Sequence, residues 1–448
     1  MRALRRLALV AIAGAALAQG SVGLAAERTE AWIPEPMPPG FRVEPSPMDG
    51  PVFGNAEGHT LYRWPFRGMR NGVTGDARGE SACTGVKYTE SAGLMSPYPG
   101  GLVLPELDTR PACTDVWPPE LAPAGAEPIG NWSVITRKDG RQQWAYDGAA
   151  LYTSVLDRRP GDVLGGDKPE QGFDSPAVRE PIAPEPDLPP GFMVNTTLRG
   201  RMLLTERGFT VYTSDADRGG RSRCIGACAQ EWQPLAAPAS GRARGDWRIV
   251  DRTDGERQWV FRGRPLYRHL ADTQARSLEG TDVPGWNAVY VREVPQPREF
   301  TVQQTPAGVV LADAQGKTIY TYTCGDDAPD QLGCDHPSQT QVYRMALCGG
   351  GSAERCLKNF PYVLATGKSR SGGPLWSVVE IDPRSGDFAG PGAPGALRVW
   401  AFRDRPVYTF AGDPGPGDTN AESLGEFQSE RTGYKAFWLR TDVARVEF

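Results

Sequence analysis

Short segments in which hydrophobic and polar residues alternate recur along the chain, and turn-forming residues separate them. In residues 131–156, the alternation places Trp144 and Tyr146 on one face of a strand, and Asp147-Gly148 follows directly. Asp-Gly between alternating segments is a strong signal for a β-hairpin, and Arg262-Gly263 stands at the same place in a later segment. The chain beyond its N-terminal region has no convincing stretch of helical periodicity. The pattern therefore predicts an antiparallel all-β protein.

The same residues return at fixed spacings in three parts of the chain. A Trp is followed by a Tyr after 8 residues and by an Asp after another 5, in Trp144-Tyr152-Asp157, Trp259-Tyr267-Asp272 and Trp400-Tyr408-Asp413. A Cys lies 4 residues before an aromatic residue in Cys113–Trp117, Cys228–Trp232 and Cys356–Phe360. This agreement indicates internal repetition. We predict three repeats, named here repeat 1 (residues 34–180), repeat 2 (184–293) and repeat 3 (295–448).

Each repeat has the size of a small β domain. A meander of three strands and an N-terminal hairpin around a Gly-to-Tyr segment account for its pattern, so we predict three tandem antiparallel β modules, sandwich or barrel-like. A six-bladed β-propeller is the alternative, because each repeat has a Tyr near a strand end in both halves. The six tyrosines that would then mark one blade each are Tyr62, Tyr152, Tyr212, Tyr267, Tyr320 and Tyr408.

The N-terminal residues have the three-part pattern of a secretory signal peptide. A basic start containing Arg2, Arg5 and Arg6 precedes an apolar run over residues 7–18, and small residues follow up to Ala26. This run is too short to cross a bilayer, which needs about 20 residues. We therefore predict that residues 1–25 are a signal peptide and that the mature protein is periplasmic or secreted, without a transmembrane segment.

Charge narrows the class of partner. The chain of 448 residues has 49 basic and 54 acidic residues and a net charge of −5, which becomes −8 when the three N-terminal arginines are removed. An acidic protein is a poor candidate for nucleic-acid binding, which favours clustered Lys and Arg.

Export also decides how the eight cysteines are interpreted. An even number of cysteines in an oxidising compartment favours disulfides, and the chain has only three His and no Cys-x-x-Cys pair that would suggest a metal site. If each repeat folds as a unit, three pairing schemes remain. The equivalent cysteines before Trp117, Trp232 and Phe360 favour pairing with the cysteine just upstream. The predicted bridges are Cys83–Cys113, Cys224–Cys228, Cys348–Cys356 and Cys324–Cys334.

Two motifs resemble a known family. Tyr408-Thr-Phe410-Ala-Gly-Asp413, followed by Pro-Gly-Asp418, is similar to a Y-x-[FWY]-x-x-D motif, and residues 224–232 have a Cys-x-x-x-Cys-Ala…Trp pattern. In these motifs the chain resembles the bacterial secreted repeat of unknown function, also described as predicted lipoproteins. Repeats 1 and 2 depart from the motif, with Ser154 and His269 at the aromatic place, and no lipobox is present. The resemblance implies an envelope location and a repeat architecture, and it brings no activity.

Loop carboxylates and strand aromatics are the candidate ligand-binding residues. The set comprises Tyr152, Asp157, Tyr267, Asp272, Tyr408, Phe410, Asp413 and Asp418. An Asp-x-x-x-x-Asp pair in a Gly-rich loop offers oxygens suited to Ca²⁺, but turn capping by Asp is the favoured interpretation, and Arg158-Arg159 beside Asp157 opposes a cation. We predict no catalytic residue, no metal and no cofactor, and we expect the repeated Trp residues to be core.

These observations predict an exported, disulfide-stabilised, non-catalytic repeat protein of the bacterial envelope. It would bind or scaffold an unidentified partner, either an envelope protein or a glycan, and no nucleic acid. Residues marked in triplicate suit scaffolding or multivalent binding better than a single specialised catalytic site. The alternative is an exported enzyme that uses the loop aspartates, such as a glycan hydrolase.

Cleavage of the signal peptide is directly measurable. N-terminal sequencing of the exported protein should begin near Ala26 or Glu27, because the small residues that end the apolar run provide the cleavage site. Recovery of an intact Met1 from the exported fraction would contradict this prediction.

Overall fold

The computed structural model describes residues 30–64, 76–86, 112–166, 179–323, 336–338, 341–371, 373, 375–422 and 433–441. The predicted signal peptide lies outside the described residues.

Strands dominate each repeat. In repeat 1 the strands are β1 (Arg42–Ser46), β2 (Gly50–Gly54), β3 (Tyr62–Arg63), β4 (Trp132–Thr136), β5 (Gln142–Tyr146) and β6 (Ala149–Tyr152), and the helix is α1 (Cys113–Val116). Strand β7 (Glu180–Pro181) pairs with β3 and extends one residue beyond the predicted end of the repeat. In repeat 2 the strands are β8 (Phe192–Thr197), β9 (Gly200–Thr205), β10 (Tyr212–Ser214), β11 (Trp232–Pro234), β12 (Trp247–Asp251), β13 (Arg257–Phe261), β14 (Arg264–Pro265), β15 (Tyr267–His269), β16 (Trp286–Ala288) and β17 (Tyr290–Glu293). Helix α2 (Ala227–Glu231) and a 3₁₀ helix (Glu279–Asp282) complete repeat 2.

Repeat 3 has the same elements with an added helical segment. Its strands are β18 (Thr301–Thr305), β19 (Gly308–Ala312), β20 (Tyr320–Thr323), β21 (Trp376–Ile381), β22 (Leu397–Phe402), β23 (Arg405–Tyr408), β24 (Gly433–Ala436) and β25 (Trp438–Thr441). Its helices are α3 (Val342–Gly349) and α4 (Ala353–Asn359). The expectation that the mature chain has no helical stretch is wrong here. Helix α3 lies in a part of repeat 3 that repeat 2 lacks, so spacings shared between repeats gave no sign of it. Helix α4 is a longer form of the helical turn that contains Cys113 in repeat 1 and Cys228 in repeat 2.

The sheets repeat the same strand order. It is β4-β5-β6-β3-β7 in repeat 1 and β21-β22-β23-β20-β24 in repeat 3, while repeat 2 divides the corresponding strands between β12-β13-β14 and β11-β15-β10-β16. The N-terminal hairpin of each repeat forms a further sheet, in the orders β1-β2, β17-β9-β8 and β18-β19-β25. These pairings are antiparallel, which confirms the all-β fold class. The sheets of the described residues do not close into a barrel.

The propeller alternative is wrong in its central assumption. It placed the two tyrosines of a repeat in different blades. The structure instead pairs them directly across neighbouring strands of one sheet, as Tyr62 with Tyr152, Tyr212 with Tyr267, and Tyr320 with Tyr408. The two tyrosines therefore mark the meeting of the N-terminal and C-terminal halves of each repeat.

Tight turns fix the register of the central meander. The two residues between the second and third meander strands have positive φ in every repeat, at Asp147-Gly148 (50° and 80°), Arg262-Gly263 (49° and 78°) and Arg403-Asp404 (49° and 61°). Positive φ at both positions is the requirement of a type I′ hairpin turn, whose twist matches that of the flanking strands. The Asp-Gly signal in repeat 1 is thus a correct guide, and repeat 3 forms the same turn without Gly.

The repeated Trp residues form the cores. Trp144, Trp259 and Trp400 are 4%, 2% and 0% exposed, which confirms the prediction that they are buried. Each lies near the Phe that begins its repeat, with ring centroids 6.0 Å apart for Phe41–Trp144, 6.3 Å for Phe192–Trp259 and 5.3 Å for Phe300–Trp400. These edge-on contacts join the N-terminal hairpin to the meander.

A helical turn explains the four-residue Cys–aromatic spacing. The N–H of Trp117 donates to the carbonyl of Cys113, and the pairs Trp232–Cys228 and Phe360–Cys356 do the same. An i to i−4 bond of this kind closes one α-helical turn. The structure contains the predicted disulfides Cys83–Cys113, Cys224–Cys228 and Cys348–Cys356. The predicted Cys324–Cys334 bridge lies outside the described residues.

The repeats pack against one another at the β1–β2 turn. Met48 in this turn is fully buried, in one cluster with Leu198 of repeat 2 and the aromatic core of repeat 3. Beside it, the Arg403 guanidinium lies 3.2 Å from the Asp49 carboxylate, with both side chains almost inaccessible to solvent. Breaking a buried ion pair of this kind is strongly destabilising, so the first repeat is held against the third.

Replacing the repeated Trp residues tests this core assignment. Trp259→Ala should lower the free energy of unfolding of its repeat by about 3–5 kcal/mol, because a buried aromatic is removed and a cavity remains. Urea denaturation monitored by circular dichroism measures the loss. Leu364→Ala is the control, since Leu364 is 61% exposed, and it should change stability by less than about 0.5 kcal/mol. A loss below about 1 kcal/mol for Trp259→Ala would contradict the assignment.

Candidate functional site

The aspartate of each Tyr–Asp motif is bonded to the other tyrosine of its repeat. The hydroxyl of Tyr62 donates to Oδ2 of Asp157 at 2.6 Å, that of Tyr212 to Asp272 at 2.5 Å, and that of Tyr320 to Asp413 at 2.8 Å. The three aspartates are 5%, 0% and 1% exposed. The five-residue spacing thus positions a carboxylate over the first tyrosine, inside the repeat and away from solvent.

The second carboxylate oxygen is also engaged. Oδ1 of Asp157 accepts the backbone N–H of Leu164 at 2.9 Å, and Oδ1 of Asp413 accepts that of Asn420 at 3.0 Å. In each case the donor lies seven residues after the aspartate. In repeat 2 the partner of Asp272 is instead Nδ1 of His269, at 3.1 Å. Each aspartate therefore ties a strand end to the loop that follows it or to the neighbouring side chain.

A threonine that sequence reasoning missed completes the connection. Thr60, Thr210 and Thr318, each two residues before the first tyrosine, are fully buried. Their hydroxyls donate to the carbonyls of Asp162, Ser277 and Asp418, at 2.7, 2.6 and 2.6 Å. The signal was present as Gly-x-Thr-x-Tyr at the same place in all three repeats. We refer to the Thr, first Tyr and Asp of each repeat as the Thr–Tyr–Asp latch.

Burial controls the ionisation of the latch. Removal from water raises the pKa of the Asp157 carboxyl to about 7, although the hydrogen bonds from Tyr62 and Leu164 oppose the rise. Burial likewise raises the pKa of Asp413. The pKa values of Tyr62, Tyr212 and Tyr320 are raised because their rings are buried and each hydroxyl faces a carboxylate. The tyrosines are therefore hydrogen-bond donors at neutral pH, and none is a base.

The second tyrosine of repeats 1 and 2 has an equivalent set of partners. The Tyr152 hydroxyl lies 2.8 Å from Oδ2 of Asp76 and 2.8 Å from Oγ of Ser81. The Tyr267 hydroxyl lies 2.8 Å from Asp217 and 2.8 Å from Ser222. Both tyrosines thus anchor the loop that carries the first cysteine of their repeat. Tyr408 differs, because it lies between the rings of Tyr362 and Tyr434 and near the Arg344 guanidinium.

The residue at the aromatic position of the Y-x-[FWY]-x-x-D motif stacks on a neighbouring ring in repeats 2 and 3. His269 stacks on Trp232 with ring centroids 4.3 Å apart, and Phe410 stacks on Phe360 at 4.7 Å. The opposite faces of the same rings are covered by Trp286 at 3.7 Å and Tyr434 at 3.6 Å. In repeat 1, where the place is Ser154, the Arg179 guanidinium lies 4.9 Å from the Trp117 ring.

The remaining loop carboxylates cap turns. Oδ2 of Asp418 accepts the backbone N–H of Gly415 at 2.6 Å, and Oδ2 of Asp162 accepts those of Arg158 and Arg159. This is the turn chemistry that the sequence favoured over a calcium site. Within the described ranges, no cluster of three or more His, Cys, Asp and Glu side chains could hold a metal ion.

Three of the eight predicted ligand-binding residues are the latch aspartates Asp157, Asp272 and Asp413. Three more lie in the strand beside the first tyrosine of each latch, namely Tyr152, Tyr267 and Tyr408. Phe410 stacks in the core, and Asp418 supplies the carbonyl that Thr318 reaches. The described arrangement can hold loops and strand ends together. Its polar groups bond to one another.

Removing a latch hydroxyl tests its energetic role. Tyr212→Phe should lower the free energy of unfolding by about 1.5–3 kcal/mol, because a buried carboxylate loses a charge-assisted hydrogen bond. Tyr62→Phe and Tyr320→Phe should give similar losses in chemical denaturation. Tyr146→Phe is the control, because its hydroxyl bonds to partly exposed groups. Losses below about 0.5 kcal/mol at all three positions would contradict a structural role.

The pH dependence of stability tests the burial of Asp157. Its pKa is raised from 3.8 to about 7 in the folded protein, so the folded state binds the proton more tightly than the unfolded state. Its contribution to stability is then full below a pH of about 4 and is lost as the pH rises through about 7. Asp157→Asn mimics the protonated acid and should flatten this part of the stability profile. An unchanged profile in the variant would contradict the raised pKa.

Comparison with known proteins gives one family. The family model of a secreted repeat of unknown function matches residues 133–168, which include Tyr152 and Asp157, and residues 193–236, which include the Cys224–Cys228 turn. No curated protein and no solved structure matches the chain.

The family description agrees with the predicted location outside the cytoplasm. None of the helices in the described part of the chain has the length and hydrophobicity needed to span a membrane. The chain is thus similar to the secreted repeat of unknown function in two segments, one in repeat 1 and one in repeat 2.

Proposed function

We propose that this protein is a non-catalytic scaffold of the bacterial envelope, built from three copies of one unit with the bounds of repeats 1, 2 and 3. Its surface loops would bind an envelope partner, either a protein or a glycan. The proposal rests on one observation, which is that the Tyr–Asp bond is buried in all three repeats. A tyrosine and an aspartate that form the same buried bond in each of three repeats stabilise the fold of each repeat.

The latch supports this role by fixing the loop that follows each third meander strand. In repeat 1 the Asp157 carboxylate and the Asp162 carbonyl hold both ends of this loop against Tyr62 and Thr60. Similar bonds hold the corresponding loops of repeats 2 and 3. A rigid frame of this kind can present loops of different sequence without losing its core.

The enzyme alternative needs an aspartate that reaches a substrate. A glycan hydrolase uses two carboxyl groups on either side of the scissile bond. Asp157 has the raised pKa of a general acid, but its Oδ2 is bonded to Tyr62, its Oδ1 to Leu164, and its side chain is buried. The same arrangement recurs at Asp413. This pairing favours the scaffold.

An assay on envelope glycans separates the two functions. The mature protein is incubated with purified peptidoglycan, and released reducing ends are compared with those from Asp157→Asn, Asp272→Asn and Asp413→Asn at a temperature where all are folded. The scaffold proposal predicts no release above the background for any of them. Release by the native protein that a single one of these variants abolishes would overturn it.

A further inference from the structure

We propose that the loop before and within the Cys224–Cys228 turn of repeat 2, residues 217–228, docks this protein on an anionic phospholipid surface. The inference extends the proposed scaffold role to one surface, and the two are tested by different variants. We refer to residues 217–228 as the arginine loop.

The arginine loop is basic although the protein is acidic. Repeat 2 contains 16 Arg and 14 acidic residues, a net charge of +2, whereas the whole chain has a net charge of −5. Within the loop, Arg218, Arg221 and Arg223 are exposed. Among the described residues, the guanidinium groups of Arg221 and Arg223 form no hydrogen bond or ion pair. These two charges are therefore available to an external anion.

The acidic neighbours of these arginines are already engaged. The Asp217 carboxylate accepts the Tyr267 hydroxyl and the backbone N–H of Arg223, both at 2.8 Å. Asp215 pairs with Arg264 at 2.7 Å. Glu231 is the exposed exception, 3.8 Å from His269. The loop thus presents more positive than negative charge to solvent.

The same loop exposes apolar surface at its tip. Ile225 is 55% exposed between the two bonded cysteines. Leu270, 42% exposed, donates its backbone N–H to the carbonyl of Glu231 at the end of the helix that follows. Arginines beside protruding aliphatic side chains fit a membrane interface, where the charges meet headgroups and the aliphatic groups enter the acyl boundary. Exposed aromatic faces would suit a glycan better, whereas Tyr212, Trp232 and Tyr267 of this repeat are buried.

Repeat 1 provides an internal comparison. Its loop has the same frame, because Asp76 and Ser81 bond to Tyr152 as Asp217 and Ser222 bond to Tyr267. The backbone N–H of Ala82 also donates to Asp76, as that of Arg223 does to Asp217.

On this shared frame the surface residues differ. Glu80, Ala82 and Thr84 of repeat 1 occupy the places of Arg221, Arg223 and Ile225. Residues 76–84 carry a net charge of −1 and residues 217–225 a net charge of +2. Because Val86 of repeat 1 is also exposed, the arginines are the distinguishing feature. The frame tolerates both surfaces, so the basic one is not needed for folding.

This comparison supplies the test variant. Arg221→Glu combined with Arg223→Ala installs the residues of repeat 1. Binding of the mature protein is measured by co-sedimentation with vesicles of phosphatidylcholine, with and without phosphatidylglycerol. We expect binding only to the anionic vesicles and its loss at high salt, since screening weakens surface attraction. The double variant should bind at least about 30-fold more weakly, because each of the two lost arginines contributes about a factor of five and the introduced Glu adds repulsion.

A matched control changes the charge elsewhere in repeat 2. Arg242→Glu combined with Arg248→Ala alters the net charge equally at two other exposed arginines and should leave binding within about three-fold. Thermal unfolding establishes that both double variants are folded. Ile225→Thr should weaken binding while retaining its salt dependence.

Three results would overturn the inference. One is equal loss of binding in the control, which would mean that overall charge drives association. Another is full binding by the Arg221→Glu, Arg223→Ala variant. The last is failure of the native protein to bind anionic vesicles, including the case in which it sediments only with an acidic polysaccharide such as polygalacturonate. None of these results would alter the scaffold proposal, which depends on the glycan assay.

Discussion

A buried hydrogen bond between a tyrosine and an aspartate is the interaction on which each repeat depends. The tyrosine lies in the strand that follows the N-terminal hairpin, and the aspartate lies after the last strand of the meander. The bond therefore joins parts of the chain that are 95, 60 and 93 residues apart in the three repeats. A carboxylate removed from water is costly unless it is paired, so the loop carrying the aspartate has to close over the tyrosine.

The constraint leaves other positions free to vary. The aromatic ring four residues after the bonded cysteine is stacked against two side chains in repeats 2 and 3, but these neighbours differ. Trp232 stacks with His269 and Trp286, and Phe360 stacks with Phe410 and Tyr434. In repeat 1 the cation of Arg179 lies beside Trp117. The latch keeps one geometry while the stack and the outer loops change. This division explains how three copies of one frame can carry different surfaces.

Much of this frame was predictable from the sequence because its signals are local. Asp147-Gly148 indicates a tight hairpin turn. The fixed spacing from Cys113 to Trp117 and from Cys228 to Trp232 marks equivalent positions, although the helical turn that it forms was not predicted. Repetition then made the equivalent residues of each repeat visible. What the sequence did not reveal depends on contacts between distant residues. The partner of Asp157 could not be identified without knowing that the loop folds back over Tyr62, and Thr60 was missed for the same reason. Helix α3 was missed because it belongs to repeat 3 alone, and α4 was missed because its equivalents in the other two repeats are too short to show a helical period.

A double-mutant cycle on Tyr212 and Asp272 tests the central claim most directly. The free energies of unfolding are measured for the native protein, Tyr212→Phe, Asp272→Asn and the variant with both changes. Because the two side chains meet at 2.5 Å in a buried site, the account predicts a coupling energy of about 1.5–3 kcal/mol. A coupling energy near zero would contradict it, since the two residues would then contribute to stability independently.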